Sequence, residues 1–312
     1  MLCSFYDIAY FQRPPHFPEP IEQFALHANA EQINLGRRLF YDPILSRDST
    51  ISCSSCHLSF TAFSHTDHDL SHGIEGRIGL RNSPALMNLA WSKSLMWDGA
   101  IHHLDMQALA PISHPDEMGE NIAHVLEKLQ GQPSYAAQFK NAFGAEEITG
   151  EYLLKAFSAF LVTLVSSHSK YDQVKLEQAT FTPQEEKGYH LFQQHCNRCH
   201  QEPLFTNYTF QSNGLPIDTT LQDYGRMRIT GKKEDSLLFK VPTLRNIQYS
   251  KPYMHDGRFR NLTQVMKHYA SNPQCSGPLS ANDQVDIIAF LHTLSDSTFV
   301  FNPKFIAPRE GK

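Results

Sequence analysis

The sequence predicts a mainly α chain built from two like halves. Three observations carry that prediction. Apolar residues recur at helical spacing in short segments, with few of the alternating runs that strands need. The pentapeptide Cys53-Ser54-Ser55-Cys56-His57 returns as Cys196-Asn197-Arg198-Cys199-His200. A longer set of residues downstream of each pentapeptide also returns at matched spacing.

C-x-x-C-H is the attachment pattern for a c-type haem. Two thiols spaced by two residues reach the two vinyl groups of one porphyrin, and the following His lies under the iron. A single zinc site made of all four cysteines is the competing use. It leaves both adjacent histidines without a role and joins pairs far apart in the chain. Two covalently bound haem c groups are therefore expected, one on Cys53, Cys56 and His57, the other on Cys196, Cys199 and His200. The fold class follows: two cytochrome c-like haem domains related by internal duplication.

At 312 residues the chain has room for about two domains. Residues 1–30, with Pro14, Pro15, Pro18 and Pro20, read as an extended lead-in. A helix is expected from near Ala30 through Gly36-Arg37-Arg38-Leu39-Phe40, and its counterpart through Gly188-Tyr189-His190-Leu191-Phe192. The second has a marked start: Thr182 as N-cap, Pro183 in the first turn and Glu185 closing a capping box. Pro84-x-Leu86-x-Asn88 matches Pro242-x-Leu244-x-Asn246, and Ser92-Lys93 matches Ser250-Lys251. Met96-Trp97-Asp98-Gly99 matches Met254-His255-Asp256-Gly257, and Leu104 matches Leu262. Glu151–Ser167 is expected as one long buried helix closing the first half, and Ser280–Thr293 as the helix closing the second. The division is a first haem domain at 31–172, a second at 173–298, and a tail at 299–312 that packs back on the body.

Composition narrows the function. A hydrophobic content of 41% is that of a soluble globular protein. With 27 basic and 32 acidic residues the net charge is −5, which argues against a nucleic-acid partner and provides no basic patch for a membrane surface. The longest apolar run, Ala156–Val165, falls short of the ~20 residues that span a bilayer. Of the six cysteines, four are claimed by the haem motifs. Cys3 and Cys275 remain, open to pairing, to staying free and, at Cys3, to a lipid anchor. Covalent haem c is assembled outside the bacterial cytoplasm, so a periplasmic location is expected. Met1–Tyr10 has no basic n-region and no long apolar core, so the export segment has been removed or the start site lies elsewhere.

The halves differ where chemistry depends on them. Tyr269 stands fourteen residues after His255, whereas the matching position after Trp97 is Pro111. A phenol can ligate iron and a proline cannot. The second haem is thus expected to have two protein ligands, His200 and Tyr269, and the first an open face opposite His57. Gln107 and Glu117 follow in that region. Splitting a peroxide O–O bond needs a group that takes a proton from one oxygen and returns it to the other, and a carboxylate beside an open haem suits that task. The plainer readings are a helix-start charge for Glu117 and a core residue for Trp97. Between two haems, an indole is also a stepping stone for electrons.

These residues resemble the bacterial di-haem cytochrome c peroxidases and MauG-type enzymes over nearly the whole chain, from about Leu35 to Pro303. The resemblance rests on both haem motifs, Arg81-Asn82-Ser83-Pro84, Trp97-Asp98-Gly99, Gln107–Met118 and Pro252–Gly257. It implies that the His57 haem is the peroxide site, with Glu117 as acid–base residue and Gln107 orienting the oxygen species. Trp97 would lie between the haems. It further implies one calcium ion held by the Asn82 side chain and the backbone carbonyls of Ser250 and Pro252.

Tyr269 stands where peroxidases proper usually have Met, as in the MauG type, and a hard ligand there favours oxidised iron. Where many peroxidases have a His that caps the first iron until reduction, this chain has Ile74, with His65, His68 and His72 nearby. Peroxide would then oxidise the haem pair to a high-valent state shared through Trp97, which removes electrons from a redox donor, a small cytochrome or a copper protein, or from a protein substrate. The Trp that the methylamine-utilisation enzyme carries before its second haem motif is replaced by Gln193-Gln194-His195, so its particular substrate is not implied. Two other classes compete with the enzyme reading. A pure electron-transfer cytochrome requires both irons six-coordinate and Glu117 dispensable. A haem sensor requires an output domain that the sequence does not display.

Overall fold

The computed structural model describes residues 10–21, 24–272 and 276–308. Cys3 and Cys275 lie outside the described residues. The helices are α1 (Ala30–Tyr41), α2 (Cys53–Cys56), α3 (Leu109–Ser113), α4 (Ile122–Gln130), α5 (Pro133–Phe143), α6 (Gly150–Leu161) and α7 (Lys170–Lys175). They continue with α8 (Pro183–His195), α9 (Met227–Thr230), α10 (Leu262–Ala270), α11 (Ala281–His292) and α12 (Ser297–Val300). Among the described residues the sheet content is one antiparallel ribbon of β1 (Phe210–Gln211) and β2 (Phe239–Lys240). The fold is mainly helical. No helix among the described residues is long and apolar enough to cross a membrane.

Local chemistry fixes the helix starts. Asn29 closes a capping box with Gln32 at the head of α1, and Thr182 does so with Glu185 at the head of α8. Each of these helices then crosses another at very short range. A Cβ on Gly36 would lie 1.8 Å from the carbonyl oxygen of Ala156 in α6. A Cβ on Gly188 would lie 1.9 Å from the carbonyl oxygen of Asp286 in α11. Only glycine lets the two backbones approach that closely. Phe160 closes the first crossing and Phe290 the second.

Two apolar cores grow around these crossings. The first gathers Phe40, Phe63, Phe157, Phe160 and Leu164. The second gathers Tyr171, Phe192, Phe205, Ile287 and Phe290. Helix α7 runs through residue 172, and its Tyr171 belongs to the second core. The C-terminal segment crosses back to the first core, where Phe299 and Phe305 are buried. The Tyr41 hydroxyl donates to the Phe305 carbonyl at 2.7 Å, and Arg37 Nε to that of Ile306 at 2.7 Å. The lead-in is mostly irregular but includes a 3₁₀ turn at Phe24–His27.

One expected element is shorter than its pattern. The helix read over Glu151–Ser167 stops at Leu161. Thr163 turns its hydroxyl back to the Phe160 carbonyl, and the backbone beyond finds partners elsewhere. Asn88 N–H donates to the Leu164 carbonyl, and the Asn88 side chain exchanges bonds with the Ser166 backbone. Asp296 accepts from the amides of Ser167 and His168. Tertiary hydrogen bonds thus replace the last helical turns.

The same arrangement recurs around Asn246. Its N–H donates to the Leu294 carbonyl, and its side chain accepts from the Asp296 amide. Asn88 and Asn246 share a left-handed backbone, with φ of 57° and 56°. Short bridges Leu95–Ile101 and Tyr253–Phe259 likewise enclose Trp97 and His255.

Candidate functional site

The first pentapeptide folds as the single turn α2, which places Cys53 and Cys56 on one face. The His57 amide closes that turn on the Cys53 carbonyl at 3.0 Å. The chain then doubles back through Ala62 and Phe63, both with positive φ, and presents the Phe63 carbonyl 2.8 Å from His57 Nδ1. A carbonyl accepts only from N–H, so the proton sits on Nδ1 and the Nε2 lone pair is free for a metal. Burial pushes the His57 imidazole down to about 4, which keeps it neutral.

Glu117 lies within electrostatic reach of both cysteine sulfurs. Burial raises the Cys53 thiol to about 12, and Glu117 contributes to the upward shift of both Cys53 and Cys56. Burial also raises the Glu117 carboxyl; His114 opposes this and Asp116 adds to it. The Ile74 amide anchors this loop, donating to the Glu117 carbonyl at 2.8 Å. Ile74 itself is fully buried. Nearby, the His68 ring stacks on His65 with centroids 5.1 Å apart and meets His72 tilted at 4.1 Å, and the His72 carbonyl accepts from Cys56 Sγ at 3.4 Å. Gln107 Nε2 donates to Met96 Sδ at 3.1 Å, and its amide oxygen is buried with no hydrogen-bond partner. An orphaned acceptor of this kind fits a site built around a further group.

The second pentapeptide opens onto a cavity of about 560 Å³. Cys196, Cys199 and His200 line it, as do Tyr269 from α10, Met254 and Trp97. That volume falls in the range of cofactor pockets, roughly 300–1,000 Å³. His200 Nδ1 lies 3.2 Å from the carbonyls of both Phe205 and Pro242, repeating the tautomer logic of His57. Burial lowers His200 to about 4. His268, the neighbour of Tyr269, is engaged elsewhere, with Nε2 2.7 Å from the Asn213 carbonyl. The residues present therefore fit haem c at both sites: paired cysteines, a neutral His with Nε2 free, and at the second site a cavity of cofactor size.

Trp97 Nε1 donates to the Asn82 carbonyl at 2.8 Å, and the Asn82 amide donates to the His255 carbonyl at 2.7 Å. Asn82 thereby ties Trp97 to the residue at the matching position of the other half. Asn82, Ser250 and Pro252 all border the same cavity. The Asn82 amide nitrogen donates to the Asp69 carbonyl at 3.0 Å, which turns its Oδ1 away from that carbonyl. No cluster of three or more His, Cys, Asp or Glu suited to a metal occurs among the described residues. A calcium ion here would rest on neutral oxygens.

Some residues of the site carry contacts for which the sequence assigned no role. Arg81 pairs with Asp98 at 2.6 Å and with Asp223 at 2.5 Å, holding the loop of Trp97 against the second half. Arg245 is fully buried and grips Asp172 through two bonds of 2.9 and 2.8 Å. Arg245 Nε also donates to the Pro203 carbonyl at 2.9 Å, in the loop that carries the Phe205 carbonyl to His200. Arg245 occupies a blank of the Pro242-x-Leu244-x-Asn246 repeat whose counterpart is Met87, so a mismatch between halves was its one signal. Lys240 reaches the cavity from β2, and no feature of the sequence marked it.

Comparison with known proteins identifies the family. A family model described as di-haem cytochrome c peroxidase matches residues 30–180. The methylamine utilization protein MauG of Methylorubrum extorquens is 33% identical over 307 residues, covering 92% of this chain and 83% of that protein. The cytochrome c551 peroxidase of Nitrosomonas europaea is 33% identical over 285 residues, covering 90% of this chain and 84% of that protein. A crystal structure of a MauG-like protein associated with microbial copper homeostasis superposes with a TM-score of 0.85 at 29% identity, covering 96% of this chain and 99% of that one. The chain is a haem-dependent oxidoreductase of the c-type cytochromes. It belongs to the di-haem cytochrome c peroxidase/MauG family.

Proposed function

We propose that this protein is a MauG-type di-haem peroxidase that works in the periplasm and draws electrons from a partner protein. The observation that carries the proposal is the asymmetry of the two sites. Tyr269 shares a cavity with His200, while Glu117 and the unbonded amide oxygen of Gln107 mark the first site. Haem held at the first site would supply redox-active iron for the reduction of hydrogen peroxide. Cys53 and Cys56 would hold that haem with His57 as its ligand; Cys196, Cys199, His200 and Tyr269 would hold the other. Glu117 takes a proton from one peroxide oxygen and returns it to the other as the O–O bond breaks. Two electrons and two further protons complete the conversion of each peroxide to two waters. Gln107 orients the peroxide through its amide. Trp97, between the sites, carries electrons from the second to the first. Asn82, Ser250 and Pro252 would hold a calcium ion, which would steady the loop whose Asn82 carbonyl accepts from the Trp97 indole.

The haem units proposed are 31–172 and 173–298, copies of one ancestral unit. The matched bonds of Asn88 and Asn246 and the paired glycine crossings support that reading. A copper protein is the partner class favoured, because the MauG-like neighbour is associated with microbial copper homeostasis and aligns over nearly its whole length. A small cytochrome as donor is the second reading, supported by the similarity to cytochrome c551 peroxidase.

Trp97→Phe tests the shared use of the two sites. The variant is expected to keep both haems and to lose the spectral response of the His200 haem to peroxide added to ferric protein. An unchanged two-haem response would make Trp97 a packing residue.

A further inference from the structure

The cavity of the second site is lined by more than forty residues, and not one is Asp or Glu. Lys240 and Arg198 supply its fixed positive charge, and Arg198 is exposed at the rim. Lys240 is different. Its backbone amide donates to the Trp97 carbonyl at 2.7 Å, which fixes β2 beside the indole. Its ammonium makes no hydrogen bond or ion pair with the described residues. The carboxylate within its electrostatic reach, Asp98, is already gripped by Arg81 at 2.6 Å. A desolvated cation without a partner is costly. Burial shows this by pushing the Lys240 ammonium down to about 8, against the pull of Asp98.

A second donor is left over nearby. His255 is buried, lines the same cavity and stacks on Phe239, the residue next to Lys240, with centroids 3.7 Å apart. Its Nδ1 has no hydrogen-bond partner. A cavity without acid, holding one unpaired ammonium and one unpaired imidazole nitrogen, is complementary to a carboxylate-bearing guest. Haem carries two carboxylates, its propionates.

We propose that Lys240, assisted by His255, binds a propionate of the His200 haem and so holds that haem's charged edge against Trp97. This rests on the haem reading of the second site. Lys240 acts on the iron only through the propionate, so it is a positioning residue. A cation beside the propionate favours the reduced iron, whose net charge is less positive, and removing it favours ferric iron.

The test uses haem-loaded protein of the wild type, Lys240→Met and Lys240→Arg. Haem content is measured first, as the pyridine haemochrome. Fewer than two haem c per wild-type chain would overturn the haem reading itself, and the proposal with it. With two haems in place, the potential of each is read by spectroelectrochemistry and the propionate bending bands by resonance Raman. Lys240→Met is expected to bias the His200 haem about tenfold toward ferric, a fall of about 59 mV for one electron. Its propionate band should shift, and Lys240→Arg should stay near wild type on both readouts. If Lys240→Met does not accumulate, Lys240→Gln takes its place in the comparison with Arg. Potentials and propionate bands that match wild type in the Met or Gln variant, or that change equally in the Arg variant, would overturn the proposal.

Discussion

Replacing Glu117 by Gln is expected to slow peroxide-driven oxidation of the donor by about 10²–10⁴-fold, the usual contribution of a placed acid–base group. Both haems should remain attached, because Glu117 makes no bond to Cys53, Cys56 or His57. The change preserves shape and removes the titrating group. Burial lifts the Glu117 carboxyl above its ordinary value, the direction that suits a group that both accepts and donates a proton. Stopped-flow mixing of ferric protein with peroxide, followed by turnover with donor, checks the prediction. Turnover equal to wild type would remove Glu117 from the proton path and reduce it to a loop residue anchored by Ile74.

Replacing Asp172 by Asn is expected to cost about 3–5 kcal/mol of stability, the range for breaking a buried ion pair from one side. Arg245 is fully buried, and Asp172 meets it through two bonds while also accepting from Ser169 and from His16. Burial on its own would raise the Asp172 carboxyl, but Arg245 and these hydrogen bonds hold it down to about 2. Its folded pKa is thus depressed, so the stability it contributes is present above the unfolded value of about 3.9 and lost as pH falls toward 2. The gap between wild type and Asp172→Asn should therefore narrow on acidification. Denaturant unfolding at pH 7 and near pH 3 reads this directly. Adding Arg245→Met to the variant should recover part of the loss, since the unpaired buried charge goes with it. A single substitution that costs under 1 kcal/mol would show that solvent reaches the pair.

What the sequence displayed and what it hid divide along a physical line. The pentapeptides were legible because covalent attachment and ligation by adjacent residues are local chemistry. The start of α8 was legible for the same reason: Thr182, Pro183 and Glu185 act within one turn. Comparison of the halves brought out Tyr269 against Pro111, and the structure brings Tyr269 into the cavity of His200. The end of α6 was not legible, because Leu161 is followed by residues that could continue the helix. Asn88 and Asp296, far away in the chain, take their backbone groups instead. Arg245 and Lys240 were hidden likewise. One matters through Asp172 and the Pro203 loop, the other through a cavity that exists only in the folded chain.

The proposed function requires two unlike haem sites, one open and one closed by Tyr269. Low-temperature electron paramagnetic resonance of the as-isolated ferric protein tests it most directly. One high-spin signal is expected from the His57 haem and one low-spin signal from the His200 haem. Two low-spin signals would contradict it, placing a protein ligand, such as a histidine of the 65–72 loop, on the first iron and making the protein a reductively activated peroxidase or an electron carrier.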